Sequence, residues 1–158
     1  MLNMNDQAFH LVHANVAIML APLSDPIMAG FLDWVDEINA LAQDSPGFVA
    51  QPTPRDAGQV FTGRALLNLS IWDSVESLDR FTHHGQHATA LEQRAEWFEQ
   101  RAGPNYVLYW AASGHLPTEA EVQQRFDYLT KHGPTPYAFT FEHRFTVEEM
   151  LAFSPDRD

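Results

Sequence analysis

Along several stretches of this chain, apolar and polar positions alternate with the two-residue period of a half-buried strand. "FHLVHANVAIM" from Phe9 sets His10, Val12, Ala14 and Val16 on one side, with Phe9, Leu11, His13 and Asn15 on the other. "ALLNLSIW" sets Leu67, Leu69 and Ile71 against Leu66, Asn68, Ser70 and Trp72. "YVLYWAA" from Tyr106 predicts a third long strand behind Pro104, and "GFVAQ" a short one. Elsewhere the period becomes helical. In "SDPIMAGFLDWVDEINALAQDSPG", Asp25 is the N-cap, Pro26 opens the helix, and Met28, Phe31, Val35, Ile38 and Ala42 recur until Pro46-Gly47 stops the run. A second helix, capped by Asp73 or Ser74, runs through Val75, Leu78 and Phe81. "FTHHGQHATALEQRAEWF" continues that helix or restarts it after Gly85. A third starts at Thr118, where Glu121 three residues on makes a capping-box signature, and ends at Gly133-Pro134. "AFTFEHRF" reads as an edge strand or an arm.

The order strand, helix, strand, strand, helix, strand is an α+β, ferredoxin-like βαββαβ plan, here with a C-terminal helical extension. Residues 1–8 are a loose lead-in, 9–146 a single domain and 147–158 a C-terminal tail. The smooth aliphatic face (Val12, Ala14, Val16; Leu67, Leu69, Ile71) suits helix packing. The opposite face, with His13, Asn15, Asn68 and Ser70 among Phe9, Trp72 and Trp110, has the polar-in-apolar mixture of a small-molecule cavity. It also has the composition of a half-solvated sheet face, and the pattern alone leaves both readings open. A second subunit is the expected cover for it.

Composition narrows the partners. Against 9 Lys+Arg stand 21 Asp+Glu, a formal charge of -12, which opposes binding to phosphate backbones and to anionic membrane surfaces. With 45% hydrophobic and 12% aromatic residues the chain can nevertheless build a core. It has no cysteine, so thiol catalysis, disulfides and Cys-type zinc sites are excluded. The first residues carry neither a basic n-region nor an apolar h-region, and no run of about 18 apolar residues occurs. A soluble, cytoplasmic protein is expected.

Five ordered motifs, "MAGFLDWVDEINALAQDSPGFV", "LLNLSIWDSVESL", "HATALEQRAEWFEQ", "SGHLPTEAEV" and "HGPTPYAFTF", resemble the bacterial family known as domain of unknown function 3291. The resemblance spans His10 to about Phe145 and implies a dimeric α+β barrel, a homodimer similar in fold to antibiotic-biosynthesis monooxygenases, muconolactone isomerases and haem proteins of the chlorite-dismutase type. It supplies no reaction. The family's characteristic residues fall on Asn68, Ser70, Trp72, His87, Arg94, Trp97, Phe98, Gly114, His115, Pro117 and Thr118. His83 to Gly85 depart from the pattern.

On a helix, His87, Leu91, Arg94 and Phe98 share a face, and His87 and Arg94 stand about 10 Å apart along the axis. They can bracket one ligand, the imidazole as acid or base and the guanidinium on a carboxylate, enolate or phenolate. The alternative is a capping His87 and an Arg94 paired with a surface acid. His83, His84 and His87 lack an accompanying metal motif, so no metal is expected. Neither a nucleophile elbow nor a glycine-rich phosphate loop occurs. The expectation is a cofactor-independent enzyme of the monooxygenase, isomerase or cyclase type, acting on a small aromatic or polyketide-like molecule. His87 and Arg94 are its catalytic pair; His13, Asn68, Ser70, Trp72, Trp97, Phe98, Trp110 and His115 bind the ligand. A non-catalytic carrier and a haem-binding protein are the other readings.

Overall fold

A computed structural model of the chain describes residues 8–21, 25–30, 37, 40–51, 65–83 and 106–155. Its strands are β1 (Phe9–Ile18), β2 (Phe48–Ala50), β3 (Ala65–Trp72) and β4 (Tyr106–Ala112). They form one antiparallel sheet in the order β2-β3-β1-β4, the ferredoxin-like arrangement that the alternating stretches predict. The described helices are α1 (Val75–His83), α2 (Glu119–His132) and α3 (Val147–Leu151).

Local signals set most of the boundaries. Asp25 caps as expected, its carboxylate accepting from the Ile27 N–H at 3.0 Å ahead of a 3-10 turn at Pro26–Met28. Residues 29–30, 37 and 40–43 are helical. The stop at Gly47 has a tertiary cause. Its φ is 87°, its carbonyl accepts from the Asp73 N–H at 2.8 Å, and a Cβ there would lie 2.2 Å from Ser77 Oγ. Only glycine tolerates both the left-handed backbone and that approach. Ser74, rather than Asp73, caps α1, its hydroxyl accepting from the Ser77 N–H at 3.1 Å.

The capping signature at α2 is half realised. Thr118 accepts from the Glu121 N–H at 3.2 Å, but the Glu121 carboxylate turns away to other partners. A full reciprocal box opens α3 instead, between Thr146 and Glu149. "AFTFEHRF" is an arm: Phe139 makes one isolated bridge with Leu108 on the outer edge of β4, exchanging two hydrogen bonds of 2.9 Å. α3, in the stretch read from sequence as a tail, buries Val147 in the core.

The two sheet faces are covered differently from expectation. The smooth face, through Val12, Ala14, Leu69, Val107 and Tyr109, packs on Val122 and Leu129 of α2, a helix of the C-terminal extension. The crossover helix α1 instead sets Val75 and Leu78 on the opposite face, against Leu11, Trp72 and Leu108. The reason is Trp72. Only Asp73 and Ser74 separate it from α1, so the helix folds back over the side to which the indole points, and Phe81 stacks on it at 5.2 Å. Burying so large an aromatic contributes more than the aliphatic residues of the other face can offer α1.

Candidate ligand-binding face

Register arranges the Trp72 face in three rows across β4, β1 and β3. Directly opposed residues share a face. The first row is Trp110–Leu11–Trp72, the second Leu108–His13–Ser70, the third Tyr106–Asn15–Asn68. Successive rows stand about 6.6 Å apart. Burial falls along them: Leu11 and Trp72 are 0% exposed and Trp110 9%, His13, Ser70, Asn15 and Tyr106 are half-buried, and Asn68 is exposed. An apolar floor thus grades over two steps into a polar margin.

Hydrogen bonds tie the rows together. The Trp72 indole N–H donates to Ser70 Oγ at 2.9 Å, and Ser70 Oγ lies 3.4 Å from His13 Nδ1. Indole can only donate, so it takes one acceptor position of Ser70 and leaves the hydroxyl hydrogen and one lone pair for the imidazole. The His13 ring lies 5.8 Å from that of Tyr106, which is 5.5 Å from Phe141. The Tyr106 oxygen accepts from the Phe141 N–H at 3.1 Å. Burial raises the Tyr106 pKa above the ordinary phenol value; the bond from Phe141 opposes this, Glu142 adds to it, and Thr140 and Arg144 oppose it.

Four of the expected ligand-binding residues, His13, Asn68, Ser70 and Trp72, therefore lie together, with Trp110 in the same floor. The two tryptophans support the face from beneath. Phe48 meets the Trp72 ring edge-on at 5.4 Å, opposite the direct stacking of Phe81, and the Trp110 N–H donates to the Phe145 carbonyl at 2.9 Å. His87, Arg94, Trp97 and Phe98 lie outside the described residues. Among the described residues no three His, Asp or Glu side chains are grouped to hold a metal; His84 and His87 lie outside them.

His115 is placed elsewhere, in the turn beyond the far end of β4 from Tyr106. Its Nε2 lies 2.6 Å from Glu121 Oε1, while Glu121 Oε2 accepts from the Tyr109 hydroxyl at 2.7 Å. The Arg125 guanidinium stacks 3.8 Å from the Tyr137 ring centre and 4.4 Å from that of Tyr109. Tyr109 is fully buried, and burial, then the charge and hydrogen bond of Glu121, hold its phenol far above the ordinary value, with Arg125 opposing and Tyr137 adding. The group fastens α2 to the smooth face.

Tyr106 and Asn15 complete the polar margin. Asn15 is legible from the alternation of β1. Tyr106 shares its parity with Leu108 and Trp110, a signal that points it to the same face, but nothing near it in sequence announces Phe141.

Comparison with known proteins agrees with the motifs. Uncharacterized protein YqjZ of Bacillus subtilis (strain 168) is 29% identical over 87 residues, spanning 54% of this chain and 72% of that protein. The solved NE2512 protein of unknown function from Nitrosomonas europaea aligns with a TM-score of 0.46 at 12% identity, over 71% of this chain and 98% of its own. SnoaB, a cofactor-independent oxygenase from Streptomyces nogalater, aligns with a TM-score of 0.48 at 16% identity, over 70% of this chain and 99% of its own. The family model of a domain of unknown function, DUF3291, matches residues 10–154, and to that family this chain belongs.

Proposed function

We propose that this chain binds a small aromatic or polyketide-like molecule on the Trp72 face and transforms it without a cofactor, by oxygenation, isomerisation or cyclisation. The observation that carries the reading is the hydrogen-bonded set Trp72–Ser70–His13, where an indole buried in the floor fixes a hydroxyl and an imidazole at the polar margin. Preorganised polar groups above an apolar floor suit a flat, mostly apolar ligand with a few oxygens. His13, Ser70 and Asn68 orient it, and Trp72 and Trp110 act from beneath. His87 is the general acid or base, Arg94 stabilises developing negative charge, and Trp97 and Phe98 wall the ligand. His115 stands apart from this face, paired with Glu121 in the turn beyond β4. The protein acts as a cytoplasmic homodimer.

Native mass spectrometry of protein purified under non-denaturing conditions from its source tests the reading. A dimer carrying extra non-covalent mass is expected, and a bare monomer would overturn both the dimer and the resident ligand. With the occupant identified, His87→Ala should lower turnover by about 10²–10⁴-fold, the usual span for a general acid or base. Full activity in that variant removes the role given to His87, and unchanged occupant with no product from wild type leaves a carrier.

A further inference from the structure

We infer that the C-terminal extension does for this sheet what a second subunit would otherwise do: α2 closes the smooth face within the chain, so a homodimer of this protein is held by surfaces other than that face and the outer edge of β4. The inference concerns assembly and stands independently of the ligand proposed above.

The two crossover connections of a βαββαβ unit lie on one side of its sheet. Both do so here. Val75 and Leu78 of α1 and, from the helical residues 40–43 of the first connection, Ala42 pack in one cluster with Leu11 and Trp72. The unit by itself would leave Val12, Ala14, Leu69 and Val107 bare on the other side, and a continuous aliphatic surface of that kind calls for a partner.

The cover comes from the next element of the same chain. Only residues 113–118 separate β4 from α2, a link short enough to return the helix over the sheet it has just left. Val122, Phe126 and Leu129 recur at helical spacing and pack on the smooth face. Polar contacts fix the helix there. The Tyr109 hydroxyl donates to Glu121 at 2.7 Å, and Arg125, stacked on the Tyr109 ring, donates to the Tyr137 carbonyl at 2.7 Å. Within the single chain, Val12, Ala14, Leu69, Val107 and Tyr109 are each no more than 1% exposed. A stable interface buries about 1,200–2,000 Å² around an apolar centre, and the centre of this face is already taken.

The chain then rounds the outer edge of β4. Phe139 exchanges two bonds of 2.9 Å with Leu108 there, and beyond it the Phe145 carbonyl accepts from the Trp110 indole on the opposite face. The extension is therefore a clasp running from one face, past the edge, to the other. At Leu108 it occupies the backbone groups through which a second copy's strand would lengthen the sheet. The Trp72–Ser70–His13 set is likewise assembled by one chain.

The test uses wild-type protein in which carbon-13 methyl chains are mixed with unlabelled chains, so that an isotope-filtered Overhauser experiment reports contacts between chains alone. The methyls of Val12, Leu69 and Val107 should show contacts to Val122 and Leu129 in the uniformly labelled sample and none in the filtered one. A contact between chains at any of these methyls, from a displaced or an exchanged α2, overturns the inference. Val122→Cys supplies a second measurement, because it places a single thiol beneath α2 in a chain that has no cysteine. In the folded variant that thiol should resist dithionitrobenzoate at every protein concentration until urea unfolds the chain. Reaction at the rate of an exposed thiol in folded protein overturns the closure by α2. Sedimentation separates this inference from the proposed function. A monomer removes the homodimer from that proposal and leaves the clasp in place, whereas a dimer with chain-to-chain contacts on the smooth face does the reverse.

Discussion

Tyr106 and Tyr109 stand three residues apart on one strand, and each has been put to opposite use. Tyr109 points into the smooth face, is fully buried, and donates its hydrogen to Glu121 of α2. Tyr106 points to the other face, is half-buried, and its oxygen accepts from the Phe141 N–H of the C-terminal arm. Both are pushed toward the neutral phenol, mainly by burial. The difference teaches that the fold closes the sheet around Tyr109 and leaves a polar margin on the other face, so a single strand supplies a structural pin to one face and a half-buried polar group to the other.

The contrast can be broken most severely from the floor of the graded face. Trp72→Ala should cost about 3–5 kcal/mol in urea denaturation, as expected for deleting a buried aromatic. A cost below about 1 kcal/mol would mean that α1 does not depend on this ring. Next comes the pin. Tyr109→Phe should cost about 1.5–3 kcal/mol because it removes a hydrogen bond to a charged acceptor, and Tyr106→Phe about 1 kcal/mol, because the single Phe141 N–H it orphans belongs to a half-buried residue. Reversal of that order would undo the division of labour.

Alkali sharpens the comparison. A phenol whose pKa is raised in the folded state stabilises the fold fully below the unfolded value of about 10, and the contribution fades as pH climbs from there toward the folded value. Phenolate absorbance should therefore show Tyr106 and Tyr109 ionising above the ordinary phenol range, Tyr109 after Tyr106, with stability declining above about pH 10. Ionisation of both within the ordinary range, in protein still folded, would show that neither is shielded as described. Ser70→Ala should cost a similar amount to Tyr106→Phe, about 1 kcal/mol, for it leaves the Trp72 N–H without an acceptor. On the proposed function, its larger consequence should be on affinity for a ligand.

The strands were legible because alternation is a property of neighbours: β3 and β4 coincide with "ALLNLSIW" and "YVLYWAA". The choice of face by α1 was not, since it depends on how a two-residue turn sends the helix over Trp72 and on what ring it finds there. Much of the polar margin could be read from parity along β1 and β3, which grouped His13 with Asn15 and Asn68 with Ser70. The bond that Tyr106 accepts could not, since Phe141 is 35 residues away, on an arm that meets β4 through the isolated bridge of Phe139. Glu121 shows a third kind of obscurity. Its place in a capping signature disguised a carboxylate whose two oxygens are spent on Tyr109 and His115.

The bond from Trp72 to Ser70 also makes the protein its own spectroscope. An indole shut away from water, yet one hydroxyl removed from the imidazole at the margin, feels any change in how that hydroxyl is shared. On the proposed function, its N–H resonance would register an arriving molecule that never touches the ring. Occupancy of the face could thus be followed through one indole proton before the molecule that fills it has been identified.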